Sequence, residues 1–193
     1  MKTITLEFSK LQILKEKERW KLYFVIVTEH PTDNDKMIVS TFPEPYIRLK
    51  PSIDNLISFE PEGSGETDGL FVIERQLPDD NRIKVRVYLR QCRQNIRSLG
   101  KSLQDLKKSL GGDAFEIVDD LLGTTVPWLV VAKKAVPMIG TVLSKIKDKD
   151  MGFVSMDESL KKEEVDQNCV LERANAFSTG EAKIWWKWKV NEL

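Results

Sequence analysis

The hydrophobic period of this chain changes partway along it, and that change constrains the fold more than any other feature. Up to about Leu89 apolar residues recur at every second position, as in strands with one buried face. From Cys92 the steps become 4, 3, 4, 3 and 4 through Ile96, Leu99, Leu103, Leu106 and Leu110, which places them all on one stripe of a helix. Alternation returns near residue 148. It is clearest at the end, where Ala182, Ile184, Trp186, Trp188 and Val190 share one face and Lys183, Trp185, Lys187 and Lys189 the other. Side chains repeat every second residue on a strand and about every 3.6 on a helix, so neither pattern can serve the other element. The order predicts a mainly β chain, α+β by content. Residues 1–90 and 148–193 are expected to form an antiparallel β-sandwich, with a helical insertion over 91–147 between two late strands, all in one domain spanning 1–193.

Within the first block Ile4, Leu6 and Phe8 face one way. Trp20, Leu22, Phe24 and Ile26 do so in the next strand, where Tyr23, Val25 and Val27 make the second face apolar too, so this strand is expected at the centre of a sheet. Shorter strands at 37–41, 46–50 and 56–60 lie among Pro43, Pro45, Pro51 and Pro61. Those at 70–73 and 83–89 follow the turn-forming Gly63-Ser64-Gly65 and Pro78-Asp79-Asp80-Asn81. Gly111-Gly112 stops the first helix. Asp113 then caps a second helix over 114–122, and Thr124 or Thr125 a third, with Pro127 in its first turn and an interruption at Pro137 and Gly140. Residues 161–166 read as a solvated loop among late strands at 151–156, 169–173 and 181–190.

Several short segments resemble one known family. They are Glu44-Pro45-Tyr46-Ile47-Arg48-Leu49 after an acidic loop, Phe71-Val72-Ile73, the Leu77-Pro78-Asp79-Asp80-Asn81 turn, Val85-Arg86-Val87-Tyr88, and Asp148-Lys149-Asp150-Met151-Gly152-Phe153-Val154. Together they resemble the C-two domain, the calcium- and phospholipid-binding sandwich first described in protein kinase C. The resemblance implies a C-two-like sandwich and, in members that bind calcium, aspartates in two apical loops supplying the ion's oxygens. Here Glu44 stands in the Asp-Pro-Tyr position, and the two aspartates expected after the Val-x-Val strand fall on Leu89 and Gln91. Asp33, Asp35, Asp148 and Asp150 remain as the candidate calcium ligands.

Charge and chemistry narrow the function classes. Lys plus Arg number 30 and Asp plus Glu 30, a balance that argues against a nucleic-acid specialist. The single histidine, His30, rules out a multi-histidine metal site and has no nucleophile-elbow serine beside it. Cys92 and Cys169 follow no paired spacing and read as reduced thiols. The N-terminus alternates from the start, and the uncharged stretch at 121–132 is far short of the ~20 residues that span a bilayer, so a cytoplasmic chain without leader or anchor is expected.

The zero balance hides unequal regions. Arg90, Arg93, Arg97, Lys101, Lys107 and Lys108 surround the first helix against Asp105 alone, and Trp185 stands outside the last strand among lysines. A basic face beside a leucine stripe suits an acidic partner or an anionic membrane surface. These seven residues are the expected partner or membrane surface. The sequence therefore points to a non-enzymatic interaction module whose inserted amphipathic helices dock a protein partner or mediate self-association, with no cofactor. The alternatives are a calcium-dependent phospholipid- and membrane-binding module, and a hydrolase with acidic residues near the insertion.

Overall fold

Antiparallel pairing organises most of the chain. The computed structural model describes residues 2–15, 20–49, 55–59, 69–93, 99–111, 115–118, 122, 127–146 and 148–192. Along these run β1 (Lys2–Ile13), β2 (Trp20–Glu29), β3 (Lys36–Leu49), β4 (Leu56–Ser58), β5 (Leu70–Gln76), β6 (Arg82–Ile83), β7 (Val85–Gln91), α1 (Leu99–Leu110), β8 (Glu116–Val118) and β9 (Trp128–Ala132). A 3-10 turn (Lys133–Ala135) leads into α2 (Val136–Lys145), followed by β10 (Lys149–Ser155), β11 (Glu158–Ser159), α3 (Lys162–Asp166), β12 (Val170–Ala176) and β13 (Ala182–Glu192).

The outer sheet has the order β12-β13-β1-β4, with β5 also pairing β1, and the central sheet the order β10-β7-β2-β3-β9-β8. The alternating faces of β1 and β13 (Ile4, Leu6, Phe8; Ile184, Trp186, Trp188) share one core with Leu22, Phe24 and Ile26 of β2 and Val85, Val87 and Leu89 of β7. Phe8 and Phe24 meet edge to face across it, ring centroids 4.9 Å apart. On its other side the central sheet buries Tyr23, Val25, Val27, Met37, Val39, Tyr88, Leu129 and Val131 under Leu103, Leu106 and Leu110 of α1 and Ile139, Val142 and Leu143 of α2. Each of those helix residues contributes roughly 1.5–3 kcal/mol by leaving water. The doubly apolar β2 is thereby central, as its sequence predicts. Gly111, at φ 116°, ends α1 in the left-handed conformation.

Residues 91–147 are not wholly helical. Where a second helix and the start of a third are expected, the described residues form β8 and β9, which extend the central sheet. Asp113, Thr124, Thr125 and residues 119–121 lie outside the described residues. Trp128 and Val130 of β9 pack toward the core between the sheets, and Leu129 and Val131 toward the helices. A strand covered on both faces is a continuous apolar run, which periodicity cannot separate from a buried helix; the β-branched pair Val130-Val131 favours the strand. Pro137 interrupts nothing, since it sits in the first turn of α2, where its missing N–H has no intrahelical partner to lose.

The prolines of β3 do not break it either. Pairing runs Leu22↔Ile47 and then Phe24↔Phe42, so residues 43–46 bulge from the ladder and Pro43 and Pro45 need not donate to β2. The expected loop at 161–166 is the short α3, whose start is capped by the Lys161 N–H donating to the Glu164 carboxylate at 2.8 Å.

Candidate functional site

Val85, Val87 and Leu89 point between the sheets, so Arg86, Tyr88 and Arg90 take the opposite side of β7. Arg90 is therefore not part of a surface: it is 0% exposed. Its Nη2 donates to the carbonyls of Leu143 at 2.7 Å and Asp148 at 2.8 Å, and Nη1 lies 3.4 Å from Asp150 Oδ1 as an ion pair without hydrogen-bond alignment. Leu143 belongs to the last turn of α2, where its carbonyl also accepts the Ile146 N–H at 3.1 Å and the helix dipole favours a cation. Asp148, 5% exposed, accepts from Tyr23 Oη at 2.8 Å and from the Arg93 backbone N–H at 3.1 Å. Asp150 Oδ1 also accepts from the Gly152 N–H at 3.0 Å. Nearby, Glu181 bridges Lys149 and Lys15. The hydrogen bond from Lys149, helped by Lys15, holds its carboxyl below the usual range.

Asp33 and Asp35 occupy the β2–β3 hairpin. Asp33 pairs with Lys36 at 2.9 Å and accepts the Asp35 N–H at 3.0 Å; Lys36 foremost holds its carboxyl low. Strand register separates this pair from Asp148 and Asp150. Asp150 and Tyr23 both pair with Arg90, whereas Glu29, at the other end of β2, pairs with Met37 beside the hairpin. The two aspartate pairs thus sit at opposite ends of β2, about 20 Å apart at ~3.3 Å per residue. The expected four-aspartate calcium site is not assembled. Among the described residues no group of three or more His, Cys, Asp and Glu gathers at metal-binding distance.

The expected docking surface also divides. Arg93, Lys101 and Lys108 are exposed and Lys107 is half-buried, while Arg97 lies outside the described residues. Lys107 and Lys108 occupy the last turn of α1, where they also complement the helix dipole. Trp185 faces away from the core on the outer sheet, with Lys183 Nζ 4.6 Å above its ring. The central sheet separates it from α1, so Trp185 and the helical cations do not form one surface.

A further cluster joins residues distant in sequence. Between the β2–β3 hairpin and the turn after β5 lies a cleft of about 620 Å³ with His30, Arg75, Asp79, Asp80, Arg82 and Lys133 on its walls. It adjoins a more apolar one of about 360 Å³ bounded by Val27, Met37, Val136 and Pro137, and the two share Glu29, Lys84 and Lys133. Arg75 is half-buried; Nη1 donates to the Glu29 carbonyl at 3.0 Å, and Nε is buried with no partner. Burial pushes its pKa down against the pull of the Glu29 carboxylate, yet a guanidinium stays charged in a protein. The Thr32 amide N–H points at His30 Nδ1 from 3.3 Å. An amide can only donate, so the imidazole proton sits on Nε2. Burial foremost keeps the His30 pKa below 6.5, leaving the ring neutral at pH 7. Sequence spacing offers no signal for this cleft, because register alone brings its walls together. No protein-family model matches the chain, and no curated protein matches it.

Proposed function

We propose that the chain is a non-enzymatic interaction module, a C-two-like sandwich that presents the basic face of α1 to an acidic protein partner. One observation carries this: Leu103, Leu106 and Leu110 are 0%, 1% and 9% exposed against the central sheet, while Lys101 and Lys108 of the same helix face solvent. A helix whose apolar stripe is already covered has none to insert into a bilayer. Two copies meeting through the same cationic face would repel. Both facts favour an acidic protein over a membrane or a second copy. The calcium-dependent alternative draws no support from aspartates held at opposite ends of β2.

The test is fluorescence anisotropy with a labelled glutamate-rich peptide at low and high salt, on the wild type and on a variant carrying Arg93→Gln, Lys101→Gln and Lys108→Gln. The wild type should bind, weaken as salt screens charges beyond ~8–10 Å, and lose about tenfold or more in the variant at unchanged helical content. Equal affinity in the variant overturns the proposal.

A further inference from the structure

Half-buried Arg75 donates to a backbone carbonyl through Nη1, and its Nε is buried with no hydrogen-bond partner. A cation in that position costs free energy that a bound anion would recover. Arg82 of β6, Lys133 of the turn before α2 and His30 line the same cleft. The Glu29 carboxylate is shared, since Lys84 Nζ lies 4.0 Å from it. Asp79 and Asp80 stand on the same walls, and Asp80 Oδ1 accepts the Arg82 N–H at 3.1 Å. Those carboxylates repel a bare anion but accept hydrogen bonds from hydroxyl groups. The cleft, about 620 Å³, is far larger than a phosphate needs and falls within the range of small-molecule sites, about 300–1,000 Å³.

We propose that this cleft binds a small phosphorylated polyol, its phosphate held by Arg75, Arg82, Lys133 and His30 and its hydroxyls by Asp79 and Asp80. Guanidinium groups match phosphate because their paired N–H donors are charge-assisted and fixed in direction. A concave site suits a free metabolite better than a headgroup fixed in a flat bilayer.

The test uses the full chain with glucose 6-phosphate, adenosine 5′-monophosphate, inorganic phosphate and glucose at matched ionic strength, read by thermal unfolding and calorimetric titration. At least one of the two phosphorylated polyols should raise Tm saturably, inorganic phosphate less, and glucose not at all. Arg75→Gln should weaken binding by about tenfold or more. Lys133→Gln, at an exposed side chain, keeps the test informative should Arg75→Gln fail to fold, and should weaken binding by a smaller factor. Lys10→Gln, on β1 away from the cleft, should bind as the wild type. Three results overturn the proposal: no Tm shift beyond that of sodium chloride with either phosphorylated polyol, undiminished binding in both cleft variants, or binding to phosphatidylinositol 4-phosphate vesicles without binding to the soluble ligands.

Discussion

Arg90 is fully buried and Arg75 half-buried, at opposite ends of the sandwich, and their surroundings differ. Around Arg90 the chain supplies two carbonyls within 2.8 Å, a third, from Ile146, at 3.5 Å, and the Asp150 carboxylate. Asp148 beside it takes hydrogen bonds from Tyr23 and Arg93, and Glu181 ties Lys15 to Lys149. Around Arg75 the chain supplies one carbonyl and a cleft, while Nε goes without a hydrogen bond in both arginines. A buried charge with chain-supplied partners locks the fold; one that opens on a cleft lacks a partner the chain does not provide. The same residue type is thus enclosed by acceptors of the chain at one end and opens on a cleft at the other.

The largest test of that contrast replaces the two arginines. Arg90→Met should cost about 3–5 kcal/mol through two lost charge-assisted hydrogen bonds, and Arg75→Gln only about 1 kcal/mol; urea unfolding that ranks them the other way would collapse the distinction. Tyr23→Phe removes a donor from the buried Asp148 carboxylate and should cost about 1.5–3 kcal/mol without altering ligand affinity at the distant cleft. At the locked end Gly152 has φ 96°, and an added Cβ would lie 2.8 Å from the Thr179 backbone nitrogen, so Gly152→Ala should lower stability by about 1–3 kcal/mol.

Acid should loosen the two ends in different pH ranges. Glu181 has a depressed pKa, so the unfolded chain holds the extra proton; its contribution is complete above the unfolded value of about 4.3 and is lost as pH falls through the lower folded value. Glu181→Gln should flatten that part of the stability curve between about pH 5 and 3. His30 is likewise depressed, and its contribution is complete above about pH 6.5 and shrinks as pH falls toward its folded value. His30→Asn should remove this smallest of the effects, seen as a shallower slope just below neutrality in urea midpoints.

Much of the sandwich is legible along the chain because its strands have distinct faces. Trp186 and Trp188 alternate into the core as their spacing requires, and β2 shows its central place through two apolar faces. The apolar stripe likewise reveals a helix over Leu99–Leu110, with Leu103, Leu106 and Leu110 buried on its apolar side; Cys92, where the stripe begins in the sequence, lies outside that helix, and Ile96 lies outside the described residues. Legibility fails where context sets the state. The run Trp128–Ala132 has no polar face to reveal its period, so only packing between two layers makes it a strand. Arg90 sits in a basic run, yet alternation carried one step past Leu89 turns it toward Tyr23 and the helices. The cleft leaves no trace in local spacing, because His30, Arg75, Asp79, Arg82 and Lys133 come from separate segments.

The sequence by itself determined which residues must leave water and with what period, because side-chain direction follows from backbone geometry within a few residues. That suffices for a mainly β chain carrying an amphipathic helix. Tertiary structure alone decided which charges meet. Antiparallel register sent Asp33 and Asp148 to opposite ends of β2, closed Arg90 under α2 and left Arg75 facing a cleft. The physical reason is range: hydrophobic period is written locally, whereas charge pairing acts over a few ångströms between segments whose proximity depends on the whole fold.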